Sequence, residues 1–123
     1  MKPEIKQKWL DALRSGKYEQ GRGVLRSTQT DGFCCLGVLC DLYIQDHPDV
    51  QWEQGIGEDR FAISGETGVL PSIVMTWAGL SAPNPELKVT YVNDIGFCMS
   101  SLAGMNDMGQ SFEQIADVIE AQL

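Results

Sequence analysis

The sequence predicts a single small α+β domain spanning residues 1–123, about five short helices packed on a small antiparallel sheet. Three observations lead there. Apolar residues recur at helical spacing near both ends, as Ile5, Trp9, Ala12 and Leu13 and again as Phe112, Ile115, Ala116 and Ile119. Leu87, Val89 and Tyr91 alternate with Lys88, Thr90 and Val92, which is strand periodicity. With 123 residues, 43% of them hydrophobic, the chain has the size and apolar content of one core.

The first helix is expected from Pro3 to Arg14, because Pro3 suits the first helical position and Ser15-Gly16 ends the pattern. Gly21 to Ser27 reads as an extended segment, and Thr28 to Gly32 as a turn. Phe33 to Gln45 is apolar nearly all round, so a buried helix is expected there, with Gly37 permitting close contact to another element. Asp46-His47-Pro48-Asp49 stops it. Phe61-Ala62-Ile63 is a candidate short strand. A short helix starts near Pro71 and should bury Ile73, Val74, Trp77 and Leu80. After the Leu87–Val92 strand, Asn93 to Gly96 makes a turn into an apolar helix expected from Phe97 to Met105. Ser111, with Gln114 three residues on, forms a capping box that opens the last helix.

Charge is distributed unevenly. Seven of the nine Lys and Arg residues lie in the first 26 positions against Glu4, Asp11 and Glu19, a local +4, whereas residues 27–123 carry −12, giving −8 overall. Summed charge steers association without specifying a fold, so an anion is expected near the amino terminus. The longest apolar stretch, Phe33 to Ile44, is interrupted by Gly37 and Asp41 and is shorter than the ~18 residues of a membrane span. No hydrophobic run follows Met1 to Lys6, which excludes a secretory signal and predicts a cytoplasmic protein. Cys34, Cys35, Cys40 and Cys98 could pair as disulfides in an oxidising compartment. Three of them sit inside the apolar run, however, and read as buried thiols.

Catalytic signatures are weak. Cys34 or Cys35 follows a turn and opens a helix, a position that favours a thiolate. The only histidine, His47, would lie roughly 18 Å along the same helix, too far to act as its base. The cysteines lack the close pairs of a zinc site, and no phosphate-loop or calcium-loop pattern occurs, so no metal and no cofactor is expected. Asp41 stands alone in an apolar helix and must find a partner or shift its pKa upward; a structural partner is the expectation. The carboxyl end has a helix, a turn and a capped helix, but Ser111 to Leu123 holds no Lys or Arg and carries Glu113, Asp117 and Glu120, so DNA reading is excluded.

Phe33-Cys34-Cys35-Leu36-Gly37-Val38-Leu39-Cys40-Asp41-Leu42-Tyr43, with Trp9 to Gly16, Leu70-Pro71, Trp77 to Leu80, Asn106-Asp107 and Ser111 to Ala116, resembles a family of short proteins encoded by tailed phages and prophages. The resemblance covers most of the chain. It implies a small phage accessory protein acting on host factors or capturing nucleotide-derived immune signals, in the host cytoplasm, and it lowers the expectation of a metabolic enzyme.

The function expected first is therefore non-enzymatic: binding and sequestration of a small phosphorylated, nucleotide-type ligand as an anti-defence activity, with pockets between the subunits of a homo-oligomer. In a strand Arg22 and Arg26 would share a face about 13 Å apart and grip phosphate through their guanidinium forks. Arg14 and Lys17 would add charge, and Tyr18 or Trp52 would stack on a base. The alternative is an inhibitor of a host protein, acting through the acidic surface on a basic nucleic-acid channel. A phosphodiesterase-like activity of carboxylates and arginines is a third option. No DNA and no membrane is expected as a partner.

Overall fold

The first helix, α1 (Pro3–Arg14), has the expected bounds. Pro3 starts it where its missing N–H removes no hydrogen bond, and the chain leaves through Ser15 and Gly16, the latter at φ +75°. Ile5, Trp9, Leu10 and Leu13 are buried on one face. That face meets α5 (Phe112–Gln122) and α2 (Cys35–Asp46). The capping box of α5 is present in full, and Phe112, Ile115, Ala116 and Ile119 turn inward as expected.

The α2 helix is the centre of the core. Its residues from Cys35 to Cys40 are all buried. It begins two residues after the expected Phe33, because Cys34 serves as the N-cap and its Sγ accepts from the Gly37 N–H at 3.4 Å. The Trp9 indole donates to Cys35 O at 2.9 Å and pins α1 to the first turn of α2. The Gly37 Cα lies against the Leu25 backbone, which is the close contact the sequence anticipates.

The structure is a computed structural model that describes residues 1–54, 59–92 and 98–123. The connections around α2 are irregular where short strands were expected. Gly21 to Ser27 is held by single backbone pairings of Gln20 and Arg26 with Phe33 and of Ser27 with Arg60. It is not a strand, because Gly23 takes φ +76° and breaks the extended run. Likewise, among the described residues, Ala62 pairs only with Glu53, and Ile63 only with Glu66.

The short helix α3 (Ser72–Ala78) is capped by Pro71 and closed by Gly79 at φ +75°. It buries Val74 and Ala78, but Ile73 is 38% exposed and Trp77 only half-buried, contrary to the expected face. A seven-residue helix offers two buried positions at i and i+4, and Ile73 falls outside that stripe.

Strand β1 (Glu86–Val92) pairs antiparallel with β2 (Cys98–Ser101), matching Glu86 with Ser101 and Val92 with Cys98 across an irregularity in register. The expected helix from Phe97 to Met105 is thus replaced by β2 followed by α4 (Leu102–Asp107). Ser101 marks the change, since it pairs with Glu86 and its Oγ caps α4 by accepting from the Gly104 N–H at 3.1 Å. The expected turn at Asn93 to Gly96, and Phe97 itself, lie outside the described residues. The domain is α+β, with five helices and one small antiparallel sheet among the described residues. Among the described residues no helix is long and apolar enough to cross a membrane.

Candidate functional site

The six residues expected to bind a ligand fall in separate places. Arg14 ends α1 beside α5, where its Nη2 donates to Glu120 Oε2 at 2.6 Å and Asp117 Oδ1 at 2.8 Å. Those two carboxylates hold its pKa above the ordinary arginine value. Arg14 therefore stitches the first helix to the last. Lys8 does the same for α1 and α2 through Asp46 at 3.1 Å.

Arg26 points inward. Its Nε donates to Asp31 Oδ1 at 2.7 Å, and its guanidinium carbon lies 4.4, 5.1 and 5.8 Å from the ring centres of Phe61, Phe33 and Trp52. A guanidinium over ring faces at these distances is a stabilising cation–π arrangement. The expected partnership of Arg22 and Arg26 on one strand face does not form, because no strand forms there.

Tyr18 and Trp52 converge on Asp41. The Tyr18 hydroxyl donates to Asp41 Oδ2 at 2.6 Å, the Trp52 indole donates to Oδ1 at 3.0 Å, and Gln45 Nε2 donates to Oδ2 at 3.1 Å. Desolvation and the adjacent Asp41 push the Tyr18 hydroxyl well above its ordinary pKa, so it remains a donor at physiological pH. Tyr18 also meets the Phe33 ring edge-on at 5.0 Å. This is the structural partner expected for Asp41, and it uses up the polar ends of both aromatics.

Arg22 is different. It is exposed and has no hydrogen-bond or ion-pair partner among the described residues, whereas Arg14, Arg26 and Arg60 are all paired. It borders a concavity of about 420 Å³ that also involves Glu19, Gln20, Ser27, Thr30 and Asp59. Asp59 is held below the ordinary carboxylate pKa by the hydrogen bond from Arg60. Lys17 is exposed on another hollow, of about 360 Å³, beside Asp11, Ser15 and Gln45.

The thiols are not poised for chemistry. Burial pushes Cys34 up to about 11, against a smaller opposite effect from the Gly37 N–H, and raises Cys35 and Cys40 well above the ordinary thiol value. A cysteine nucleophile at the start of α2 is thus disfavoured by desolvation, which outweighs the helix terminus. In a Cys98→Ser variant at pH 8, Ellman's reagent is expected to label no thiol of the folded protein and three after guanidinium is added. Stoichiometric labelling before unfolding would contradict the burial of α2. Among the described residues no group of three or more His, Cys, Asp or Glu is placed to hold a metal ion.

Sequence reasoning missed Asn106, which is fully buried and joins three segments through its amide. It also missed the grouping of Tyr43, His47 and Trp77 between α2 and α3. A signal existed for the second: Tyr43 and His47 are one helical turn apart, and Trp77 lies in a helix too short to bury it.

Over residues 1–123 the chain matches the family model described as domain of unknown function DUF8296. The chain belongs to the DUF8296 family. Neither the curated proteins nor the solved structures compared with it include a match.

Proposed function

We propose that this DUF8296 protein is a non-catalytic interaction module that occupies a basic surface of a partner protein through its own acidic exterior. The observation that carries the reading is what happens to the cations. Arg14, Arg26, Arg60 and Lys8 are tied to carboxylates of the same chain, while Glu4, Glu19, Asp49, Glu53, Glu66 and Glu113 are exposed with no ion pair among the described residues. Three of the seven basic residues of the amino-terminal segment, Lys8, Arg14 and Arg26, thus tie the chain to itself, and the protein as a whole keeps a formal charge of −8. Such a surface steers and orients a positively charged partner and is screened by salt. In the setting implied by the phage resemblance, the partner is a host protein with a nucleic-acid channel, met in the host cytoplasm.

The test is affinity capture from the heparin-binding fraction of a host extract. The immobilised protein is expected to retain a nucleic-acid-binding protein at 50 mM salt, to lose it by 300 mM, and to lose it to competing duplex DNA. A variant with Glu19, Glu53 and Glu66 changed to Gln and Asp49 to Asn should retain at least ten-fold less. Retention unchanged by those four replacements would overturn the reading.

A second reading, capture of a small phosphorylated nucleotide-type ligand, is favoured by one observation: the unpaired Arg22 beside its concavity. Melting curves against nucleotides, cyclic dinucleotides and adenosine-diphosphate-ribose derivatives test it. A ligand at ~100 times its dissociation constant stabilises the folded state by about 2.7 kcal/mol, and Arg22→Ala should remove that shift without changing the melting temperature of the free protein. A screen with no shift leaves the acidic-surface reading alone.

A further inference from the structure

The protein contains two aromatic groups with opposite chemistry. In the first, Tyr18 and Trp52 direct their polar atoms to Asp41, and Arg26 fills the space between Phe33, Trp52 and Phe61. Every polar end is used. In the second, Tyr43 stacks on His47 at 4.0 Å between ring centres and 14° between planes, while Trp77 meets them edge-on at 5.4 and 6.0 Å. These rings border an open groove of about 390 Å³ with Ser72, Ile73 and Thr76. Here the Tyr43 hydroxyl, His47 Nε2 and Trp77 indole N–H have no hydrogen-bond partner among the described residues.

The tautomer of His47 follows from its neighbour. His47 Nδ1 lies 2.9 Å from Tyr43 O, and a carbonyl oxygen only accepts, so Nδ1 carries the proton and the neutral ring offers a lone pair at Nε2. The groove thus presents ring surface with two acceptors, Nε2 and the Tyr43 hydroxyl. Among the described residues no Lys or Arg lines it. Asp46 and Asp49 flank His47 in sequence, and of these only Asp46 is in an ion pair. The stacked Tyr43 and His47 rings, the Trp77 ring standing across them and the two acceptors are complementary to a guanidinium, which stacks on rings and donates in its own plane. Arg26 shows that this chain already holds a guanidinium among three rings.

We propose that the shelf of Tyr43, His47 and Trp77 seats an arginine side chain of the partner, with the Trp77 N–H left to donate to a backbone carbonyl of the same segment. The inference rests on the acidic-surface reading for its choice of a basic partner, but its test does not need that partner. Isotope-labelled protein is titrated with N-acetyl-arginine methylamide, with the citrulline analogue as the neutral isostere and the leucine analogue as the apolar control. The arginine probe is expected to shift the Trp77 indole and His47 ring signals with half-saturation at least three-fold below that of either control. The Trp9 and Trp52 indoles, bonded to Cys35 O and Asp41, should not move. Trp77→Leu should abolish the response. If that variant fails to fold, Tyr43→Leu should weaken it at least three-fold.

Equal or stronger response to leucine or citrulline, or shifts confined to other residues, overturns the shelf as an arginine site. The two readings fail separately. A shelf that binds the arginine probe while the extract yields no partner sinks only the acidic-surface reading, and a captured partner with a shelf that ignores arginine sinks only the shelf.

Discussion

Gly37→Ala is expected to be among the most damaging single substitutions in the protein, destabilising it by about 3 kcal/mol or more and lowering the melting temperature by roughly 10 °C. Helix propensity argues the other way, since Ala is favoured over Gly by about 1 kcal/mol inside a helix. The contact decides. A Cβ on Gly37 would stand 2.7 Å from the Leu25 carbonyl carbon and closer still to its oxygen, so backbone would meet side chain with no flexible atom to yield. Neither wall can retreat easily. Leu25 is fully buried, its N–H donates to Thr67 O at 2.7 Å, and its carbonyl accepts from the Cys34 N–H at 3.2 Å. The opposing helix is held by the Trp9 indole at Cys35 O. Urea unfolding with an unchanged slope and a lower midpoint is the expected record. A variant as stable as the native protein would mean that α2 does not approach the 21–27 segment this closely.

How much of this was legible depended on how local the signal was. The α1 bounds and the α5 capping box were readable because Pro3, Ser15, Ser111 and Gln114 act on backbone groups within a few residues. The Phe97–Met105 run was not, because a short apolar stretch has no period to separate strand from helix, and Ser101 reveals its double role only through Glu86. The two glycines flanking Arg22 read first as a tight turn, and only second as a place where a ligand could approach the backbone. In the structure Gly23 takes a left-handed conformation and Gly21 packs on the Gly32 backbone, both conformational demands.

The candidate site was legible in residue type and illegible in placement. Tyr18, Arg26 and Trp52 were singled out for a ligand and do converge, but on Asp41, Asp31 and one another. Asp41 carried the clue, since a lone acid in an apolar helix must attract donors. Nothing in the linear sequence says that those donors come from 23 residues earlier and 11 later. Arg14 was likewise read as available because its partners, Asp117 and Glu120, are more than a hundred positions away. Charge asymmetry along a chain thus becomes charge complementarity between its ends once α1 lies against α5.

Asn106→Leu is expected to destabilise by about 2–4 kcal/mol although leucine has the same number of side-chain heavy atoms, branched at the same carbon. Asn106 is fully buried, and its Oδ1 accepts from the Cys35 N–H at 3.2 Å and Gln20 Nε2 at 2.9 Å while its Nδ2 donates to Gly21 O at 2.8 Å. Gln20 keeps a second acceptor, Gln110 O at 2.7 Å, so its loss is small. The other two groups have no such reserve: Cys35 N–H belongs to the first turn of α2 and has no intrahelical acceptor. Leaving each unpaired costs about 1–3 kcal/mol, which exceeds anything a leucine gains by burial in a site that is already closed. Asn106→Asp separates this account from a packing effect. An ionised carboxylate there would turn lone pairs toward Gly21 O and the Asp107 carboxylate, which lies 3.3 Å from the native Nδ2. Its folded-state pKa would rise above the unfolded value, so the variant's deficit should be greatest at pH 7 and shrink as pH falls toward 4, where the protonated acid can again donate. Denaturation midpoints at pH 4 and pH 7 give the comparison. Equal deficits at both pH values would show that Asn106 fills space rather than joining the three segments through its amide.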